Sequence, residues 1–392
     1  MRLPLILVLL GAPFLHAADE GNSRGVPTSL QKLTNGLYDK NGTPLVYVEN
    51  AKASAAADIA AKKAVPYTPV QIALLGQNRY GTILPPLTLS NYHAHISCKP
   101  QVTVWFGKRV ALIIEGETPK NRDPDVMSKI CETFDGIFDA YDRVTGCHPK
   151  LDPHGSIEGH YPLEFSTLTP GGWVAQHGTF GVSWGFGFFD KLYTRVASGK
   201  NTYDQAYFYE ITRNYWMPDM NPHIDYVTSF SSTDYGWWTV GFNNAMSVFI
   251  PKECVGIDDM YYFGKNGQQF SDDMESNLNE YLAHPEKYTW ENSWCVRILP
   301  WTKNTSLNDL MTGLLIRLAK ENGGIKFISG LYREIPRQPL LKGRYDYQGE
   351  RDNFYTASSL AAQRDLYQFF TKDLRWQISA EARKRAMTDL HL

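Results

Sequence analysis

The sequence predicts an α+β fold, and three observations predict it. Short β-branched and aromatic runs occupy the segment before residue 120, a long amphipathic helix pattern follows at once, and the last third is dominated by helical periodicity. With 392 residues, 43% hydrophobic and 20% charged, the chain is long enough for one large core or two ordinary domains. Thirty-nine basic and 41 acidic residues leave a net charge of −2, so no global field favours nucleic acid or an acidic membrane.

The first element is not part of the fold. MRLPLILVLLGAPFLHAADE has an early Arg2, an apolar run from Leu3 to Leu10 and small residues at Ala17 and Ala18, the pattern of a cleaved secretory signal over 1–18. Its apolar run is too short to span a bilayer, so no membrane association is expected after cleavage and the mature protein is expected to be secreted, extracellular or periplasmic. Five cysteines agree with an oxidising compartment and permit up to two disulfides with no fixed connectivity. Asn41 and Asn304 begin sequons and are the expected glycosylation sites.

Residues 19–66 are polar and Ala-rich and contain little to bury. A core region over 67–250 then opens with the run VQIALLG. VTVWF and RVALIIEGE, separated by Gly107-Lys108, read as a hairpin. Asp123 caps the next helix, Pro124 suits its first position, and Val126, Met127, Ile130, Cys131, Phe134, Ile137, Phe138 and Tyr141 form its buried stripe until Gly146 stops it. GGWVAQHGTFGVSWGFGFFD, 171–190, has no phosphate-binding pattern and reads as strands bent at glycine or as an aromatic cleft wall. Helices follow at 203–216 and 234–250. The carboxy-terminal region, 251–392, is expected to be mainly helical, with segments at 306–324, 356–370 and 379–390.

The chemistry concentrates in YFYEITRNYW, residues 207–216. On a helix Glu210 shares a face with Arg213 and Asn214, with Tyr209 beside it. This pattern is either an intrahelical ion pair in an aromatic core or a glutamate base facing a cleft, with Arg213 and Asn214 orienting it or binding a substrate carbonyl or carboxylate. Trp184, Trp237 and Trp238 are the candidate substrate-binding platforms, for a polypeptide or a glycan. His93 and His95 could form half a metal site on a strand, and Cys147, His148, Asp152, His154, Glu158 and His160 form the densest run of potential ligands. Spacing alone does not assemble either set, so no metal and no cofactor is assigned. Glu164, Asp190, Asp225 and Asp234 are further carboxylates from which spacing selects no pair. Gly181-Val182-Ser183-Trp184-Gly185 matches a G-x-S-x-G string, near His177, without a strand-to-helix context in the pattern.

The order of parts resembles the gluzincin-type metallopeptidases of the zincin-like superfamily. Their glutamate helix carries H-E-x-x-H, two histidines bind zinc, and the glutamate activates the metal's water. Here the corresponding run is Tyr209-Glu210-Ile211-Thr212-Arg213, and the second helix reads TVGFNNAMSVFI where the family has a glutamate ligand. NFYTASSLAAQRDLYQFFTKDLRWQIS, 353–379, is similar to the tail of enhancin-like peptidases. The resemblance implies a β-rich N-terminal half packed on a zincin-like helical core, with a helical C-terminal region and a degenerate metal motif. It implies a secreted metallopeptidase homologue without conventional zinc-peptidase activity. A carbohydrate-binding or carbohydrate-processing protein and a matrix or structural protein stay open as alternatives.

Overall fold

Alternating apolar residues on either side of Gly107 build the first unit of the fold. The computed structural model describes residues 84–93, 98–116, 119–146, 157, 159–166, 181–216, 235–262, 264–290, 309–342 and 346–392. The expected signal, the Ala-rich segment, the VQIALLG run and both sequons lie outside these residues. Strands β1 (Leu87–His93), β2 (Cys98–Phe106) and β3 (Val110–Glu115) pair antiparallel in sequence order. Strands β4 (Tyr161–Ser166) and β5 (Val182–Gly185) then extend the sheet in parallel from β3.

The change from antiparallel to parallel follows from helix α1 (Pro124–Thr145), because parallel neighbours need a crossover long enough to return the chain to the same end of the sheet. The Asp123 side chain caps α1 by accepting from the N–H groups of Asp125 (2.8 Å) and Val126 (3.4 Å). At its end Gly146 adopts φ 74° and donates its N–H to the Asp142 carbonyl at 2.8 Å. The expected stripe, half-buried at Val126 and buried from Met127 onward, packs against Val110, Leu112, Ile114, Leu163, Phe165 and Trp184 on one face of the sheet. Val102, Val104, Phe106, Ala111, Ile113 and Ile157 form a second cluster.

Asp135, beside Phe134 in the middle of the buried stripe, fastens the β2–β3 turn. Its Oδ2 accepts from the Lys108 N–H at 2.6 Å, and its Oδ1 accepts from those of Arg109 (2.8 Å) and Val110 (3.2 Å). A Cβ on Gly107 would lie 2.5 Å from Asp135 Oδ2, so the turn needs glycine for its close approach to the carboxylate.

Helices α2 (Phe186–Ala197) and α3 (Gln205–Trp216) follow, separated by β6 (Thr202–Asp204). Helix α4 (Tyr235–Ile250) packs against α3 and against α6 (Asp309–Glu321), and α6 lies on α5 (Gly267–Ala283). Strands β7 (Asp259–Tyr262) and β8 (Lys265–Asn266) join β6 in a small mixed sheet. Helices α7 (Ile325–Glu334), α8 (Tyr347–Ala362) and α9 (Ala380–Asp389) close the chain, α7 touching both α8 and α1. The fold is therefore α+β.

Several elements differ from the sequence expectation. FGFFDKLYTRVA forms α2 rather than bent strands, since Phe189, Leu192 and Val196 recur at helical spacing and bury one side. The helix expected at 356–370 lies at Tyr347–Ala362, where Gln363 adopts a left-handed φ of 53° and stops it; Phe369–Asp373 is a separate π turn. Helices α5 and α7 lie in the region expected to be mainly helical but in none of its expected segments, although Asn266 and Gln269 form a reciprocal capping box at the start of α5.

The α5–α6 contact is closer than side chains allow at one point. A Cβ on Gly313 would sit 2.3 Å from the Met274 carbonyl oxygen, which is backbone and cannot swing away. Gly313→Ala is expected to lower unfolding free energy by about 1–3 kcal/mol, although alanine is the better helix former. Gly187→Ala in α2, where nothing lies within 4 Å, is the control and is expected to stabilise. Equal urea midpoints for the two variants would refute the close contact.

Candidate functional site

Helix α3 is buried on nearly every side. Asp204 Oδ1 accepts from the Ala206 N–H at 3.0 Å and holds its first turn. Tyr207 packs among Phe134 (5.5 Å between centroids) and Trp184 (5.3 Å), while Tyr215 stacks on Tyr141 at 5.0 Å and donates to Asp142 Oδ1 at 2.7 Å. Tyr141 also donates to the Phe208 carbonyl at 2.9 Å, an acceptor shared with Thr212 Oγ1 at 2.7 Å. One set of α3 side chains is thereby locked to α1.

Glu210, Arg213 and Asn214 are brought together in this helix, as their spacing requires, and all three are buried, at 5%, 5% and 0% exposure. Arg213 Nη1 donates to Glu210 Oε2 at 3.2 Å, an i,i+3 ion pair taken out of water. Burial pushes the Glu210 carboxyl above its ordinary value, and the neighbouring guanidinium, by charge and by hydrogen bond, only partly draws it back. The Tyr209 phenol is pushed up by burial, opposed by Arg213 and by the Asn243 side chain beside it.

A polar seam continues from α3 into α4 and α6. Gln205 Nε2 donates to Asn244 Oδ1 at 2.9 Å, and Asn244 Nδ2 donates to Thr312 Oγ1 at 3.2 Å. Ser247 Oγ returns to the Asn243 carbonyl at 2.7 Å. In an apolar surrounding, hydrogen bonds of this kind fix how three helices register on one another.

The zinc that H-E-x-x-H binds in the gluzincins does not fit these residues. Arg213 has no lone pair to give and keeps its charge, and Tyr209 offers a phenol in place of an imidazole. The two adjacent α4 positions carry amides, Asn243 and Asn244, rather than a carboxylate. Among the described residues no group of three or more His, Cys, Asp or Glu side chains could hold a metal ion.

The other sequence-derived candidates are placed as follows. Trp184, expected as a ligand platform, is fully buried; it stacks on Phe165 at 5.4 Å and donates Nε1 to the Ala206 carbonyl at 3.4 Å, so no face is left for a ligand. Trp237 and Trp238 fall in the first turn of α4, with side chains outside the described set. His160 is buried, its Nδ1 3.2 Å from the Ile157 carbonyl and its ring edge-on to Phe106 at 5.1 Å. His93 ends β1, while His95, Cys147, His148, Asp152, His154, Glu158, His177, Asp225 and Asp234 lie outside the described residues. Asp190 pairs with Arg122 at 2.9 Å. Cys131 is a buried free thiol, pushed up by burial.

Ser183 has the strand-to-helix setting that the sequence pattern did not disclose, because β5 runs directly into α2. It nonetheless sits within the strand, in register with Glu164, with ordinary negative φ, and 4% exposed. A nucleophile elbow places its serine on the sharp turn itself.

A shallow surface dimple between α2, β6 and α3 is lined by Lys191, Arg195, Thr202, Asp204 and Tyr207, and by none of the four α3 candidates. Asp204 there is raised by burial, against the Ala206 N–H and the charges of Arg195 and Lys191.

A pH dependence follows. Glu210 and Asp204 bind their protons more tightly folded than unfolded, so their contribution to stability is fully present below the ordinary carboxylate value and falls as pH rises through the raised folded one. Urea unfolding is expected to show stability declining over that window, with a shallower decline in Glu210→Gln. An identical slope in the variant would contradict the burial of this carboxyl.

No protein-family model matches the chain, and no curated protein does. It is similar to the crystal structures of a functionally unknown conserved protein from Bacillus anthracis str. Ames and of a mutant of such a protein. Their TM-scores are 0.46 and 0.47, at 12% and 13% identity, covering 74% and 75% of this chain. The chain spans 52% of the length of each.

Proposed function

We propose that the protein is a secreted, zincin-like homologue in which the glutamate helix serves as a structural strut rather than as a peptidase centre. Any action on a polypeptide or glycan is then one of binding, through surfaces other than α3. One observation carries this reading: the Glu210 carboxylate is held by Arg213 at 3.2 Å, with side-chain exposures of 7% and 6%. A general base must reach the proton that it abstracts, directly or through one water, and a carboxylate enclosed with its own guanidinium is committed elsewhere.

The test is metal analysis of the purified protein with peptidase assays of the wild type and Glu210→Gln. The expected result is no stoichiometric zinc and no turnover that depends on Glu210, together with lower thermal stability in the variant. Hydrolysis that is lost in a folded Glu210→Gln protein would overturn the proposal.

A further inference from the structure

We draw no further inference here: the strongest candidate, Glu115 and Ser166 with Glu164 and Ser183 where the parallel strands β3, β4 and β5 end beside the start of α2, is an acidic cluster whose hydrogen bond from Ser166 to Glu115 stays within the cluster, and nothing else among the described residues at that place points to a ligand.

Discussion

Arg213→Ala is expected to lower unfolding free energy by about 3–5 kcal/mol, the cost of leaving a buried carboxylate without its counter-ion. The pair contributes little net stability as a whole, since both charges lost their water on folding. Removing one partner exposes the full desolvation cost of the other. Arg337→Ala is the matched control, because Arg337 also pairs with a glutamate three residues away, Glu334 at 2.8 Å, but is 71% exposed. Its loss is expected to stay within about 1 kcal/mol. Chemical denaturation of both variants separates the cases, and equal losses would mean that the Arg213 pair is solvated.

Asp135→Ala is expected to cost at least about 3 kcal/mol, since it strips acceptors from three backbone donors at the β2–β3 turn. Arg109 is pinned nearby by Asp139 at 2.9 Å and by Asp142, so the turn, α1 and, through Tyr215 and Asp142, α3 share one polar anchor. Asp135→Asn should be milder, because its remaining oxygen still serves part of the turn while its amide group faces an N–H. Amide hydrogen exchange at Lys108, Arg109 and Val110 reads the effect directly. Unchanged protection in the alanine variant would show that the carboxylate does not hold the turn.

The parts of the fold legible in the sequence are those whose local signals agree with their burial. In α1, Asp123, Pro124 and Gly146 mark the ends and the apolar stripe marks the face, and the structure uses each of them. The β2–β3 hairpin is readable from its β-branched runs, but not the reason for Gly107, which depends on Asp135 in the following helix. Helix α2 is obscured because Gly185 and Gly187 at its start resemble a bent strand, and α8 is displaced because its stop is a left-handed glutamine rather than a glycine or proline.

The same division holds at the candidate site. Spacing on a helix was enough to bring Glu210 to Arg213. Whether the aromatic surroundings enclosed that pair or lined a cleft depended on α1 and α4, which no local pattern encodes. Trp184 shows the same ambiguity: the sequence allows a ligand platform, and packing against Phe165 and Tyr207 makes it core.

A double-mutant cycle on Glu210 and Arg213 tests the strut most directly. With Glu210→Leu, Arg213→Met and the double variant, the expected result is a coupling of about 0.5–3 kcal/mol, the double variant losing less than the two single losses combined. Single losses that add to within about 0.5 kcal/mol would contradict it, because a carboxylate and a guanidinium that do not sense each other cannot be the buried pair on which the structural reading of α3 depends.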